Sequence, residues 1–241
     1  MDVPETVNQA LADRPVAGRR CLDAGAGVGN TTTGLCKADA RTVVAVTNDR
    51  EHAVTVRERV GPEQRDCRVL EADLRDLPLP DDAVEVVTAH ALFNVVPTTD
   101  LSTIVGELTR VATPGTHLIV DDYAPVPQEA AIRELFALEN AAAELADGRP
   151  ALTFYPADVL RGVFERYGWR FDRRKTLLDP VPWTENHVDA HASAVQDATA
   201  PLANDLGDRL ASEADRLAAE IGAESTGQMY SLAFRLPASP E

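Results

Sequence analysis

At 241 residues, 44% apolar and 26% charged, the chain can bury a sizeable core, which excludes intrinsic disorder and leaves one large domain or two small ones. No apolar run reaches the roughly 18 residues of a membrane span, and Met1–Glu5 has neither the basic start nor the apolar stretch of a secretory signal. Acidic residues outnumber basic ones 39 to 23, for a net charge of −16, and only Lys37 and Lys175 of the basic set are lysines.

In chain order, Glu5 to Leu11 reads as a short helix stopped by the turn Pro15 to Gly18. Cys21-Leu22-Asp23 is a strand entering the Gly-rich turn Gly25-Ala26-Gly27-Val28-Gly29, and a helix follows through Ala38. Thr42 to Val46 is a buried β-branched strand, and Glu51 to Val60 is helical. After Gly61-Pro62 a strand, Arg68 to Leu70, ends at Ala72-Asp73. Asp81-Asp82 turns into the strand Val84 to Thr88, which is followed by a helix from Asp100 to Val111. Pro114-Gly115 is a turn before the strand Leu118 to Asp121. Continuous apolar strands alternating with amphipathic helices predict a parallel sheet covered on both faces. Beyond Asp122 the texture changes. A long helix, Pro127 to Leu145, ends at Asp147-Gly148. A second, Ala157 to Tyr167, leads through Gly168 into the strand Trp169 to Leu177. Residues 184–224 read as wholly helical, and Gln228 to Leu236 is a closing apolar strand. A strand so late inserts into the existing sheet, which makes 184–224 an insertion within a single domain, 1–241.

Cys21, Cys36 and Cys67 are odd in number and have neither disulfide-scaffold nor zinc-ribbon spacing, the pattern of buried free thiols in a reducing compartment. The expectation is a soluble cytoplasmic protein. A carboxylate-rich surface with almost no lysine suits molar salt, where the Debye length shrinks to roughly 3 Å. The acid is spread along the whole chain rather than gathered in a tail, which favours a halophilic origin over a surface built to repel nucleic acid.

The strongest chemical signal is Leu22-Asp23-Ala24-Gly25-Ala26-Gly27-Val28-Gly29-Asn30-Thr31. Glycines let the backbone turn tightly and approach a ligand, and the next helix points its free N–H groups there. A dinucleotide fingerprint requires a third Gly where Asn30 stands, so the pattern is acidic-x-G-x-G-x-G. Asp73 then ends the third strand in Glu71-Ala72-Asp73-Leu74-Arg75-Asp76-Leu77-Pro78. The fourth leads into Thr88-Ala89-His90-Ala91-Leu92-Phe93-Asn94, and Glu107 to Tyr123 supplies a helix, Pro114-Gly115 and the strand Leu118 to Asp121.

This succession, over about residues 19–124, resembles the class I S-adenosylmethionine-dependent methyltransferases, in particular those with the type 11 methyltransferase domain. The resemblance implies an α/β, Rossmann-like, seven-stranded mixed sheet of order 3-2-1-4-5-7-6. Its last strand is antiparallel, helices cover both faces, and a helical insertion precedes the last strand. It implies S-adenosyl-L-methionine across the carboxyl ends of strands one, two and four, where open α/β sheets bind ligands. Asp23, Ala24, Gly25 and Gly27 then face the methionine part; Asp73 and the Leu74 N–H meet the adenine; Ala89 and His90 lie beside the methionine tail and the sulfonium. One position departs. The family places Asp or Glu at the end of the second strand to accept both ribose hydroxyls, and here that place is Thr47, with a single hydroxyl. Asn48 is the candidate substitute, because Asp49 ahead of Arg50-Glu51 reads as a helix N-cap.

Methyl transfer is an in-line displacement, so alignment in a dry pocket is the main task, and a base helps only when the nucleophile carries a proton. No Asn/Asp-Pro-Pro-Tyr segment follows the fourth strand, which argues against planar amide or exocyclic amine acceptors and favours a small molecule. His90 is a base or a wall of the donor site, and no catalytic residue is assigned. Phe93, Asn94, Tyr123 and Tyr155 are candidates for the acceptor pocket, under a helical cover from 125–165 and 184–224. His187 and His191 stand four apart, as metal ligands can, but no His-Glu-x-x-His pattern accompanies them and they read as a solvated pair; no metal is expected. The stripe Leu206, Leu210, Leu217 and Ile221 packs back over the acceptor pocket. Two other readings compete. One is a translation-related methyltransferase acting on tRNA or a protein factor, helped by a small zinc-binding activator protein at the open edge of the third strand, Cys67 to Leu70; nucleic acid as acceptor stays open. The other is a catalytically silent cofactor-binding scaffold.

Overall fold

The computed structural model describes residues 3–61, 66–202 and 205–238. Nine strands form among the described residues: β1 (Arg20–Ala24), β2 (Thr42–Thr47), β3 (Cys67–Glu71), β4 (Val84–His90), β5 (Ala112–Tyr123), β6 (Arg170–Leu178), β7 (Val181–Trp183), β8 (Glu224–Thr226) and β9 (Met229–Arg235). Seven make one sheet, ordered β3-β2-β1-β4-β5-β9-β6. The first five are parallel, and β9 runs antiparallel to both β5 and β6. Since β7 and β8 pair only with each other, this is the expected order, with the last strand of the sheet inserted between its two predecessors.

The helices are α1 (Glu5–Leu11), α2 (Asn30–Lys37), α3 (Arg50–Val60), α4 (Thr98–Arg110), α5 (Ile132–Asp147), α6 (Ala157–Arg166), α7 (Glu185–Thr199) and α8 (Asp205–Ile221). The strand period of two sorts the sheet residues between two cores. Leu22, Val87, Leu118, Val120 and Phe234 pack under α4 and α6 through Leu101, Ile104, Leu108, Leu160 and Phe164. Cys21, Val43, Val86 and Ile119 pack on the other side with residues of α1, α2, α5, α7 and α8.

Four expectations need correction. Residues 184–224 are not wholly helical: α7 ends at Thr199, just before Pro201, whose ring and missing N–H oppose a continuing helix, and Glu224–Thr226 is strand β8. Pro114-Gly115 is not a turn ahead of a strand. β5 already begins at Ala112, and the ladder to β4 jumps from Val84↔Ala112 to Val86↔His117; the hydroxyls of Thr113 and Thr116 both donate to the Val84 carbonyl at 2.9 Å, which holds the bulge closed. The helix expected from Pro127 starts at Ile132. Finally, α6 packs beneath the sheet against α4 and not with α5 in the cover. Of the three thiols, Cys21 is buried while Cys36 and Cys67 are half-buried; all are free. Among the described residues no helix is long and apolar enough to cross a membrane.

Candidate functional site

The carboxyl ends of β1, β2 and β3 open onto one cavity of about 330 Å³, within the range of small-molecule sites. Gly25, Thr47, Asn48, Asp73 and Leu74, five of the residues singled out from the sequence, are on its wall. Leu92, Val96 and Pro97 beyond β4 and Ile104 of α4 continue it. Ala143 and Asp147 of α5, with Arg149 after it, close the far side.

The turn after β1 is built for this position. Gly25 has φ +71°, which favours glycine, and a Cβ there would stand 2.6 Å from Leu92 Cδ1, so a larger residue would push that side chain away from the turn. At Gly27, φ is +49° and nothing lies within 4 Å of a Cβ position. The glycine there keeps space open above the turn instead of relieving a clash. The Ala26 N–H donates to the Val46 carbonyl and Arg59 to the Val28 carbonyl, tying the turn to β2 and α3.

At the end of β2, Thr47 is buried and its Oγ1 accepts from the Asp49 N–H at 3.2 Å, leaving its own proton to donate. Asp49 caps α3, accepting from the His52 N–H at 2.8 Å, as the sequence indicated, so Asn48 is the free polar neighbour on the wall. Past β3, the Asp73 carboxylate is held by Arg75, whose guanidinium approaches to 2.6 Å and whose N–H donates at 2.8 Å. That guanidinium holds the Asp73 carboxyl below the usual carboxylate range and also reaches Asp100 at 3.3 Å.

Asp23 does not reach the cavity. It is 1% exposed and accepts from the Thr32 hydroxyl at 2.6 Å and the Thr88 hydroxyl at 3.1 Å, bracing β1 against α2 and β4. Burial pushes its carboxyl up, against the pull of those hydroxyls. Ala24 and Ala89 are buried in the strands beneath. His90, the last residue of β4, lies two positions past the Asp23↔Thr88 pair and so stands level with Gly25. Its Nδ1 is 3.0 Å from Asp121 Oδ2. Burial lowers the imidazole pKa, but the Asp121 hydrogen bond and the charges of Asp121, Asp23 and Asp122 outweigh it and the net direction is up. Asp122, 1% exposed, accepts from the N–H groups of Asn94 and Tyr123 at 3.0 and 2.8 Å, and burial pushes its carboxyl up to about 7.

Two of the acceptor-pocket candidates are core. Phe93 is fully buried edge-on against Phe164, and Tyr155 is buried with its hydroxyl donating to the Val96 carbonyl at 3.0 Å. Tyr123 packs on Trp183, and Asn94 keeps a buried Oδ1 without a partner. Of the two histidines, His187 is exposed and closes a capping box with Thr184, whereas His191 is half-buried with Nδ1 2.7 Å from the buried Glu139 against the Phe136 ring. Among the described residues no three His, Cys, Asp or Glu side chains converge as a metal site would require. The stripe of α8 packs on α7, with Leu217 buried and Leu206 half exposed.

Sequence reasoning passed over Arg75, Asp100, Arg149 and the pair Asp121-Asp122. A signal for the last was present, since two successive carboxylates ending an apolar strand are costly to bury without a purpose. Nothing local marked Arg149, which reaches the wall only because α5 folds back over the sheet.

A family model described as a methyltransferase domain matches residues 22–120. Over these residues, fewer than half of the chain, the sequence is similar to methyltransferase domains. A demethylmenaquinone methyltransferase of Clavibacter sepedonicus is 35% identical over 117 residues, 47% of this chain and 45% of that protein; the chain thus spans under half the length of the curated relative it matches. The YcgJ protein of Bacillus subtilis, 15% identical, superposes with a TM-score of 0.66 over 98% of this chain and 99% of that one. A geranyl diphosphate methyltransferase in complex with SAM, 15% identical, gives 0.61 over 95% of this chain and 85% of that one. Both likenesses show the fold. The cavity walls fit this cofactor: Thr47, Asn48 and Asp73 offer donors and acceptors to an adenosine, and the carboxylates of Asp73, Asp100 and Asp147 suit a cation.

Proposed function

We propose that this chain transfers the methyl group of S-adenosylmethionine to a small organic acceptor. The observation that carries the reading is the convergence of Gly25, Thr47, Asn48, Asp73 and Leu74 on one cavity at the carboxyl ends of three strands. Asp73 and the Leu74 N–H meet the adenine, with Arg75 sharing the Asp73 carboxylate; Thr47 and Asn48 take the ribose; the space above Gly27 receives the methionine end. Bound there, the cofactor supplies an electrophilic methyl, and the chain's own task is to hold the acceptor in line and keep water out. A small acceptor is supported by the partial likeness to the demethylmenaquinone enzyme and by the apolar closure from Leu92, Val96 and Ile104.

The test is incubation with S-adenosylmethionine labelled in its methyl group and a cell extract separated into small molecules, RNA and protein. Label in the low-mass fraction is the expected result. Label in RNA or protein would replace the small acceptor with a macromolecule, and would direct attention to the outer edge of β3, where an activator subunit could add a strand. Cofactor binding with no label in any fraction would make the chain a scaffold.

A further inference from the structure

We infer that His90, oriented by Asp121, is the general base of the reaction, so that the acceptor is one whose attacking atom carries a proton to be removed, a hydroxyl, an enol or an acidic C–H. The inference rests on the reading of the chain as a methyltransferase.

Three features of the strand ends carry it. The first is the pairing itself. β4 and β5 lie in register with His90 opposite Asp121, and Nδ1 stands 3.0 Å from Oδ2. A carboxylate accepting at Nδ1 fixes the tautomer that carries its proton there, which leaves the lone pair on Nε2. Among the described residues Nε2 has no hydrogen-bond partner, and it is not sealed from solvent.

The second is the state of Asp121. It is 3% exposed, and its other oxygen, Oδ1, is buried with no partner. A buried carboxylate whose only charged neighbour within hydrogen-bond reach, among the described residues, is an imidazole stabilises the imidazolium that forms when Nε2 takes a proton. A purely structural acid at this depth would be expected to satisfy both oxygens, as Asp122 does beside it with two backbone N–H groups.

The third is backbone strain at the next residue. Ala91 has φ +49° without being glycine, a conformation that costs on the order of 1–3 kcal/mol and that gathers at functional sites. Its N–H donates to the Asp121 carbonyl at 2.7 Å. The same residue that holds the imidazole thus also holds the turn that brings His90 level with Gly25 and points Leu92 onto the cavity wall.

In the step, the acceptor's X–H proton passes to Nε2 as the X lone pair attacks the methyl carbon. The X–C bond forms and the S–C bond breaks, and its electron pair stays on sulfur as a neutral thioether. The imidazolium then returns its proton to water. Acceptors with no proton to lose, such as tertiary amines and thioethers, gain nothing from this arrangement.

The closing experiment has two arms. In the first, the His90 ring nitrogens are followed by NMR against pH in the protein without added ligand. The groups facing the ring are Asp121 and Asp122 on β5 and Asp23 on β1. Expected is a neutral form protonated at Nδ1, with a midpoint above that of free histidine which falls in Asp121→Asn. An Nε2-protonated neutral form, or a midpoint that Asp121→Asn leaves in place, overturns the inference whatever the activity. In the second arm, label transfer is measured in wild type, His90→Gln and Asp121→Asn over a range of pH, with S-adenosylhomocysteine affinity measured alongside by calorimetry. Expected is a transfer rate that rises with pH through the His90 midpoint and drops at least 100-fold in His90→Gln, in the range of general-base contributions, while affinity changes far less. Wild-type transfer that His90→Gln preserves sinks this inference alone. Absence of wild-type transfer into every fraction sinks the methyltransferase reading and the inference with it.

Discussion

Residues 20–123 bring Gly25, Thr47 and Asp73 to the wall within two positions of the ends of β1, β2 and β3. Residues 125–238 reach the same cavity by packing: the C-terminal turn of α5 arrives because Phe136 lies against Phe154, Trp183 and His191, with ring centroids 5.2, 5.2 and 4.6 Å apart. The first arrangement is fixed by backbone geometry, the second by side-chain volume. The two halves should therefore fail differently when altered, the packed half by losing stability and the strand-end half by losing ligand.

The largest effect is expected from Phe136→Ala. Phe136 is 4% exposed at the centre of the aromatic cluster, and emptying such a site costs about 3–5 kcal/mol. Denaturant unfolding should show that loss, together with weaker cofactor binding as the α5 wall loosens. A loss of stability below about 1 kcal/mol would mean that the cover is not held by this packing.

A pH series on the strand-end half comes next. Asp122 has a folded-state pKa of about 7 against 3.8 unfolded, so folding takes up a proton between those values. Stability then falls as pH rises from about 4 to about 7, with a slope of at most about 1.4 kcal/mol per unit. The raised His90 pKa acts in the same direction, since its contribution is complete at low pH and is lost as pH climbs through the folded value. Asp122→Asn should flatten the slope. Its amide must face one of two N–H donors, but that penalty does not vary with pH. An unchanged slope would show that Asp122 is ionised throughout.

How much was legible beforehand follows the same division. Glycines, β-branched runs and terminal acids are local signals that marked the strands and the turns beyond β1, β2 and β3, while the sheet order came with the family resemblance those signals carried. Asp23 was read as a ligand group and is a brace, since sequence does not show that Thr32 and Thr88 converge on it. Phe93 and Tyr155 were read as pocket and are core, because an aromatic near a strand end looks alike in either role. The α7–α8 break was signalled by Pro201 and missed in favour of a continuous apolar stripe. Arg149 and Glu139 depend on long-range packing and had no local mark at all.

A smaller effect sharpens the departure at β2. Thr47→Asp should tighten S-adenosylmethionine by about 1 kcal/mol, the net contribution of one added hydrogen bond. Weaker binding would show that Asn48 already holds the ribose. The gentlest probe concerns both halves together. If the −16 net charge is an adaptation to salt, the thermal midpoint of the ligand-free protein should climb steadily from 0.1 to 2 M KCl as repulsion is screened. A flat series would remove salt as the reason for the acidity.

The central claim is that the turn between β1 and α2 opens onto a site for S-adenosylmethionine, and calorimetric titration of wild type and Gly27→Asp with that molecule tests it most directly. Space is open at Gly27, and aspartate is among the residues that tolerate a positive φ, so the variant should fold. Saturable one-to-one binding to wild type, and its loss in a Gly27→Asp protein with an unchanged circular-dichroism spectrum, is the predicted result. Equal affinity in the two proteins, or no binding to wild type, would contradict the account.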